Sequence, residues 1–203
     1  MQLKELLDKA QTLRRFKAGQ TIFEAGGEPL GLYKVHDGLI KLDSISATGA
    51  SHTLRLIGPG GLIGYRALFA GENYYATAIA VEESVLSFVP KNEILALFRD
   101  HPEAAMQFLE FLSRDLRLAE AKWTGQMDKD AAARIADALL FLQHHFPQQN
   151  WTRKEIAQWA GTTPETVIRT LANFEKEGII DQSSGRAIQI KNRDLLLSKS
   201  EEE

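Results

Sequence analysis

Cysteine is absent from this 203-residue chain, which removes disulfides, cysteine-ligated iron–sulfur clusters and thiolate-ligated haem from its chemistry. Long hydrophobic runs are absent too: nothing approaches the ~18–20 apolar residues of a membrane span. Residues 1–10 read as an amphipathic start without a cleavable apolar segment. A cytoplasmic chain with no membrane among its partners is therefore expected. The sequence has no Gly-Lys phosphate cradle, no nucleophile elbow and no His/Glu pair at metal-ligand spacing, so no enzyme and no metal site are expected. An excess of basic charge is missing as well. The net charge is −3 and the pI near 6.0, which counts mildly against nucleic acid as a partner.

What is present is most specific at residues 151–174. Thr152 followed by Glu155 has capping-box spacing, with Trp151 and Ile156 placed as a hydrophobic staple, so a helix is predicted to start at Arg153. Ala157 is small enough for a close helix crossing, and Gly161 can take the left-handed conformation that ends the helix. Thr163 can cap a second helix whose first position is Pro164, where a missing amide hydrogen costs nothing. Val167, Leu171 and Phe174 share its inward face, whereas Glu165 and Arg169 share an outward one. Two capped helices about a glycine turn predict a helix-turn-helix with its second helix in the DNA major groove. Arg169 can pair with guanine and Glu165 can accept from the cytosine amino group. The competing reading of this pair is a small surface ion pair.

Gly178 is predicted to stop the second helix, and Ser183, Ser184, Gly185 and Arg186 form a turn between the β-prone runs 179–180 and 187–190, as in the wing of a winged helix. Arg186 at the wing tip, with Thr152, Arg153 and Lys154 at the start of the first helix, is placed to touch phosphates, contacts that position without specifying sequence, and Thr163, Pro164 and Thr166 belong to the same DNA-binding set. Residues 150–193 carry seven basic and five acidic side chains. So slight an excess predicts modest binding unless two copies act together.

Hydrophobic content of 44% is enough for two cores. Between Phe16 and Val89 the pattern is of short β-type runs at 20–23, 31–35, 39–42, 52–57, 77–81 and 84–88, broken by glycines, as in a small roll or barrel. A long helix is predicted from Pro102, where Leu109, Leu112, Leu116, Ala119 and Trp123 recur as a seam that either pairs with a second copy or packs on its own domain. After a hinge at 128–130, residues 131–146 form a further helix with Ile135, Leu139 and Leu142 inward. The expected organisation is α+β: a sensory β-roll over 1–101, a dimerisation helix over 102–128 and a winged helix-turn-helix over 129–203. The acidic end, Glu201 to Glu203, is expected to be a disordered tail.

A glycine-punctuated β-roll, a pairing helix and a carboxy-terminal winged helix, in that order, resemble the cyclic AMP receptor protein/fumarate-nitrate regulator family of bacterial transcription factors across nearly the whole chain. The stretches that carry the resemblance are residues 152–169, Asp37 to Lys41, and Gly60 to Gly64. It implies a jelly-roll cyclic-nucleotide-binding-like domain, a homodimer bound to double-stranded DNA, RNA polymerase as a partner and a small-molecule effector, with no cofactor named. Glu165 and Arg169 fall on the family's two base-reading positions, which implies a GA step in the half-site, while Pro164 stands where cyclic AMP-responsive members carry an arginine.

The effector segment departs from that pattern. The family's glycine-glutamate pair is Gly64 and Tyr65 here, and its arginine-serine pair falls at Tyr74 or Tyr75 ahead of Ala76 and Thr77. Both charged anchors of cyclic AMP are missing, so weak or no binding of it is expected. Arg66 either substitutes for the missing arginine or pairs with a neighbouring carboxylate. Tyr65, Phe69, Tyr74 and Tyr75 either line an apolar effector pocket or pack a core. His36 and His52 raise a haem reading, against which hydrogen-bonded structural roles are the simpler expectation. The alternative function is a ligand-sensing module whose winged helix contacts protein rather than DNA.

Overall fold

The computed structural model describes residues 12–183 and 187–201, which fall into two compact units, 1–116 and 117–203, divided inside the long helix. Ten strands and seven helices are assigned among the described residues. The first unit is built from β1 (Thr12–Phe16), β2 (Thr21–Phe23), β3 (Gly31–Asp37), β4 (Ile40–Ile45), β5 (Ser51–Ile57), β6 (Leu62–Ile63), β7 (Thr77–Ala80) and β8 (Ser84–Pro90). They form two antiparallel four-stranded sheets, in the orders β1-β8-β3-β6 and β2-β7-β4-β5. Val35, Tyr33 and Leu86 of the first sheet share one buried cluster with Ile40, Ile57, Ala78 and Ala80 of the second. Alternate residues point inward, as a roll of paired sheets requires.

The six predicted runs are all strands, with ends shifted by one to three residues. β1 lay outside the prediction because it is an edge strand, paired with β8 alone and exposed at Thr12 to Arg15, and so carries little apolar alternation. The β3–β4 turn holds Gly38 at φ 86°, where a Cβ would meet the Glu83 carbonyl oxygen at 2.6 Å. Only glycine fits there.

Three helices accompany the roll: α1 (Tyr65–Ala70), α2 (Lys91–Asp100), which the sequence reading leaves unassigned, and α3 (Pro102–Asp128). Two different faces of α3 are apolar. Ala104 and Phe108 are buried with Leu32, Leu62, Tyr65, Leu68 and Ile94, and Phe111 and Leu112 pack against that cluster. On the predicted seam Leu109, Leu116 and Trp123 are 53%, 58% and 65% exposed and Ala119 is exposed too. Leu112 is the exception, turned toward its own domain because it follows Phe108 by one helical turn.

The second unit holds the end of α3 with α4 (Ala131–His145), α5 (Arg153–Ala160), α6 (Pro164–Lys176), the short pair β9 (Ile180–Asp181) and β10 (Gln189–Ile190), and α7 (Arg193–Ser200). Ile135, Leu139 and Leu142 of α4 are buried, as their spacing predicts. Asp130 caps α4 through the Ala133 amide, and the Arg134 side chain donates to the carbonyls of Lys129 and Ala160. α7 was not foreseen: Asn192 caps it by accepting the Leu195 amide, and it contributes one fully buried side chain, Leu196. The first wing strand keeps its predicted length of two residues, shifted by one, and the second is two residues rather than four. The wing tip, Ser184, Gly185 and Arg186, and residues 1–11 and 202–203 lie outside the described residues, as do the expectations placed on them.

Candidate nucleic-acid interface and the cavity of the β-roll

The helix-turn-helix is positioned by local chemistry. The Glu155 amide donates to the Thr152 hydroxyl at 3.2 Å while the Glu155 carboxylate accepts from the Thr152 amide at 2.8 Å, closing the capping box. Gly161 ends α5 at φ 64°, and the Thr162 amide donates to the Ala157 carbonyl at 3.0 Å. Thr163 then accepts the Thr166 amide at 3.3 Å, with Pro164 at the first position of α6. Val167, Thr170, Leu171 and Phe174 are buried on one face of α6. Glu165 and Arg169 are exposed on the other.

Between them stands Ile168, 57% exposed. It was missed because an apolar residue reads as core, yet its three-residue offset from Glu165 already places it outward. An exposed isoleucine there can meet a thymine methyl.

The expected phosphate contacts divide. Lys154 is exposed, whereas Arg153 is half-buried and donates to Gln182 Oε1 at 2.5 Å. That bond ties the start of α5 to the residue after β9. The Thr152 and Thr163 hydroxyls serve as caps.

A second site lies in the β-roll, a cavity of about 190 Å³. Gly64, Tyr65, Arg66, Tyr74 and Tyr75 line it, as does Arg55 from β5. Thr77 is not on its wall, since its hydroxyl accepts the Ala25 amide at 3.1 Å. Tyr74 is buried and stacks on Phe23 with ring centres 3.8 Å apart, while Tyr75 is 79% exposed. Both readings of these aromatics therefore hold in part.

Beneath the cavity Asp115 of α3, 7% exposed, gathers three donors. The Tyr65 hydroxyl donates to its Oδ2 at 2.5 Å, Arg55 Nη2 pairs with Oδ1 at 2.6 Å, and Arg66 pairs with Oδ2. Arg55 also donates to the Tyr65 hydroxyl at 2.6 Å. Arg66 is thus bound to a carboxylate, one of its two expected roles, and Arg55 joins it as a second cation. Burial holds the Tyr65 hydroxyl above the usual tyrosine value, opposed by Arg55 and assisted by the bond to Asp115. Burial pushes the Tyr74 hydroxyl up to about 12. One signal for this cluster was legible: Asp115 follows Phe108 and Phe111 on an apolar helix face, where a carboxylate needs a partner.

These residues do not match a cyclic AMP grip. A phenol replaces the carboxylate that would take the ribose, and residues 74–77 carry no cation for the phosphate. Elsewhere in the roll, His36 Nε2 and Ser87 Oγ share a hydrogen bond of 2.9 Å. Among the described residues no helix is long and apolar enough to cross a membrane.

Comparison with known proteins accounts for both halves. The family model for a cyclic nucleotide-binding domain matches residues 13–101, and that for a Crp-like helix-turn-helix domain matches residues 133–198. The cyclic AMP receptor protein of Thermus thermophilus is 33% identical over 185 residues, covering 90% of this chain and 85% of that protein. The fumarate and nitrate reduction regulatory protein of Escherichia coli is 27% identical over 96% of this chain and 80% of its own length. A solved transcriptional regulator of the CRP family from Thermus thermophilus superposes with a TM-score of 0.80 at 28% identity, covering 92% of this chain and 96% of that one. The chain belongs to the cyclic AMP receptor protein/fumarate-nitrate regulator family of DNA-binding transcription regulators, a family of regulators rather than enzymes.

Proposed function

We propose that the protein is a homodimeric regulator that reads a two-fold symmetric operator through α6 and receives its signal in the β-roll cavity. The observation that carries this reading is the outward stripe of Glu165, Ile168 and Arg169 on a helix whose opposite face is buried. Glu165 and Arg169 contact base edges, Thr152, Arg153, Lys154 and Arg186 contact phosphates, and Thr163, Pro164 and Thr166 complete the DNA-binding set. Leu109, Leu116, Ala119 and Trp123 form the seam between subunits, since four residues along one helix face leave apolar surface in water unless a second copy covers it. Pairing sets the separation of two recognition helices, which must match half-sites ~34 Å apart. The division of labour is a sensory roll over 1–101, a pairing helix over 102–128 and a DNA-binding domain over 129–203. The effector is not cyclic AMP, because neither of its charged anchors is present, and RNA polymerase is the partner at the promoter.

Selection of bound duplexes from a random pool tests the reading. A palindromic consensus with half-sites one helical turn apart is expected; a pool that stays random would overturn it.

A further inference from the structure

The β-roll cavity is small and has two unlike ends. Its volume of about 190 Å³ exceeds the ~150 Å³ that accommodates benzene and falls below the ~300 Å³ at which pockets for larger ligands begin. A single ring fits. Phe23, Leu42, Leu54 and Tyr74 line it as an apolar wall. Two guanidinium groups on the wall, Arg55 and Arg66, share one carboxylate behind it, Asp115, so these three groups together carry one positive charge, while Glu72 is the acidic residue on the wall itself. The Arg66 side chain is 52% exposed against 23% for Arg55, so Arg66 is the one free to swing onto an incoming anion.

We propose that this cavity binds a small aromatic carboxylate, its ring against Phe23 and Tyr74 and its carboxylate held by Arg66 and Arg55 in competition with Asp115. Resting on the assignment of the roll as the sensory half, the same geometry supplies the signal. A ligand carboxylate takes donors from Asp115, which sits on α3, the helix that also bears the exposed seam. Planar two-point pairing makes guanidinium selective for carboxylate over a neutral amide of the same shape.

Thermal melting and calorimetric titration of the full chain with benzoate, phenylacetate and the neutral isostere benzamide test the proposal. Benzoate or phenylacetate is expected to raise the melting temperature, since binding to the folded state alone stabilises it, and benzamide to bind at least tenfold more weakly. Arg66→Gln should weaken the acid at least tenfold. Because that variant also strips a partner from Asp115, Leu54→Trp, which fills the cavity and leaves the cluster intact, is the second arm and should abolish binding. No shift with either acid, equal binding of benzamide, or full binding by Leu54→Trp overturns the site. Operator affinity with and without the acid is read separately: an acid that binds but leaves DNA affinity unchanged keeps the site and overturns its role in sensing.

Discussion

Lys122 Nζ of α3 lies 3.4 Å from the centre of the Trp159 ring of α5, and that ring stacks in turn on Phe141 of α4 at 4.7 Å. The end of the long helix is thereby fixed to two helices of the DNA-binding unit by one ammonium group and two rings. The ring face attracts the ammonium, while burial opposes its charge and prevails, lowering the Lys122 pKa from 10.5 to about 8.

That shift sets a pH dependence of stability. From about pH 8 to 10.5 the unfolded chain binds more protons than the folded one, so stability rises with pH, by an upper bound of about 3 kcal/mol. Tyr74 works in the opposite sense. Its folded pKa is about 12 against 10 unfolded, so its contribution is complete below pH 10 and is lost between pH 10 and 12. Urea titrations across pH 7 to 12 should show a maximum near pH 10. Lys122→Met, which keeps an apolar contact with the ring, should flatten the rising limb; an unchanged limb would show that another group drives it.

The turn of the helix-turn-helix should be intolerant of side chains. Gly161→Ala places a Cβ 2.5 Å from Gln126 Oε1 at φ 64°, and a destabilisation of more than ~1 kcal/mol is expected. Thr152→Ala removes the capping box and should cost ~1 kcal/mol. Guanidinium denaturation reads both, and neutral values for either would contradict the local account.

Base reading and phosphate contact should separate by mutation. Arg169→Ala is expected to lose ~1–3 kcal/mol on the selected operator and relax one base pair, while Lys154→Ala weakens all duplexes alike and lowers the salt dependence by about one ion. Ile168→Ala should reduce preference at a single thymine. Fluorescence anisotropy against the operator and a scrambled duplex distinguishes them, and equal losses for Arg169→Ala on both would remove its base-reading role.

The seam on α3 is testable without disturbing the fold. Leu116 is 58% exposed, so Leu116→Glu should leave circular dichroism unchanged and shift sedimentation from two subunits to one, with operator affinity falling by at least tenfold. A single-subunit wild type would remove the dimer from the proposal.

The caps, turns and faces of α5 and α6 could be read directly, because each depends on residues within four positions of one another: Thr152 with Glu155, Thr163 with Thr166, Val167 with Leu171. The glycine-broken strands were legible for the same reason, since a turn residue acts on its own backbone. The tertiary structure alone decided which apolar face of α3 each leucine joins, drawing Leu112 inward beside Phe108 and leaving Leu109 and Leu116 outward. It alone joined Asp115 to Tyr65, Arg66 and Arg55, groups 49 or more residues from it in the chain. A buried carboxylate announces that it needs donors, but which donors reach it depends on how the sheets curl and where α3 crosses them, and no local periodicity carries that information.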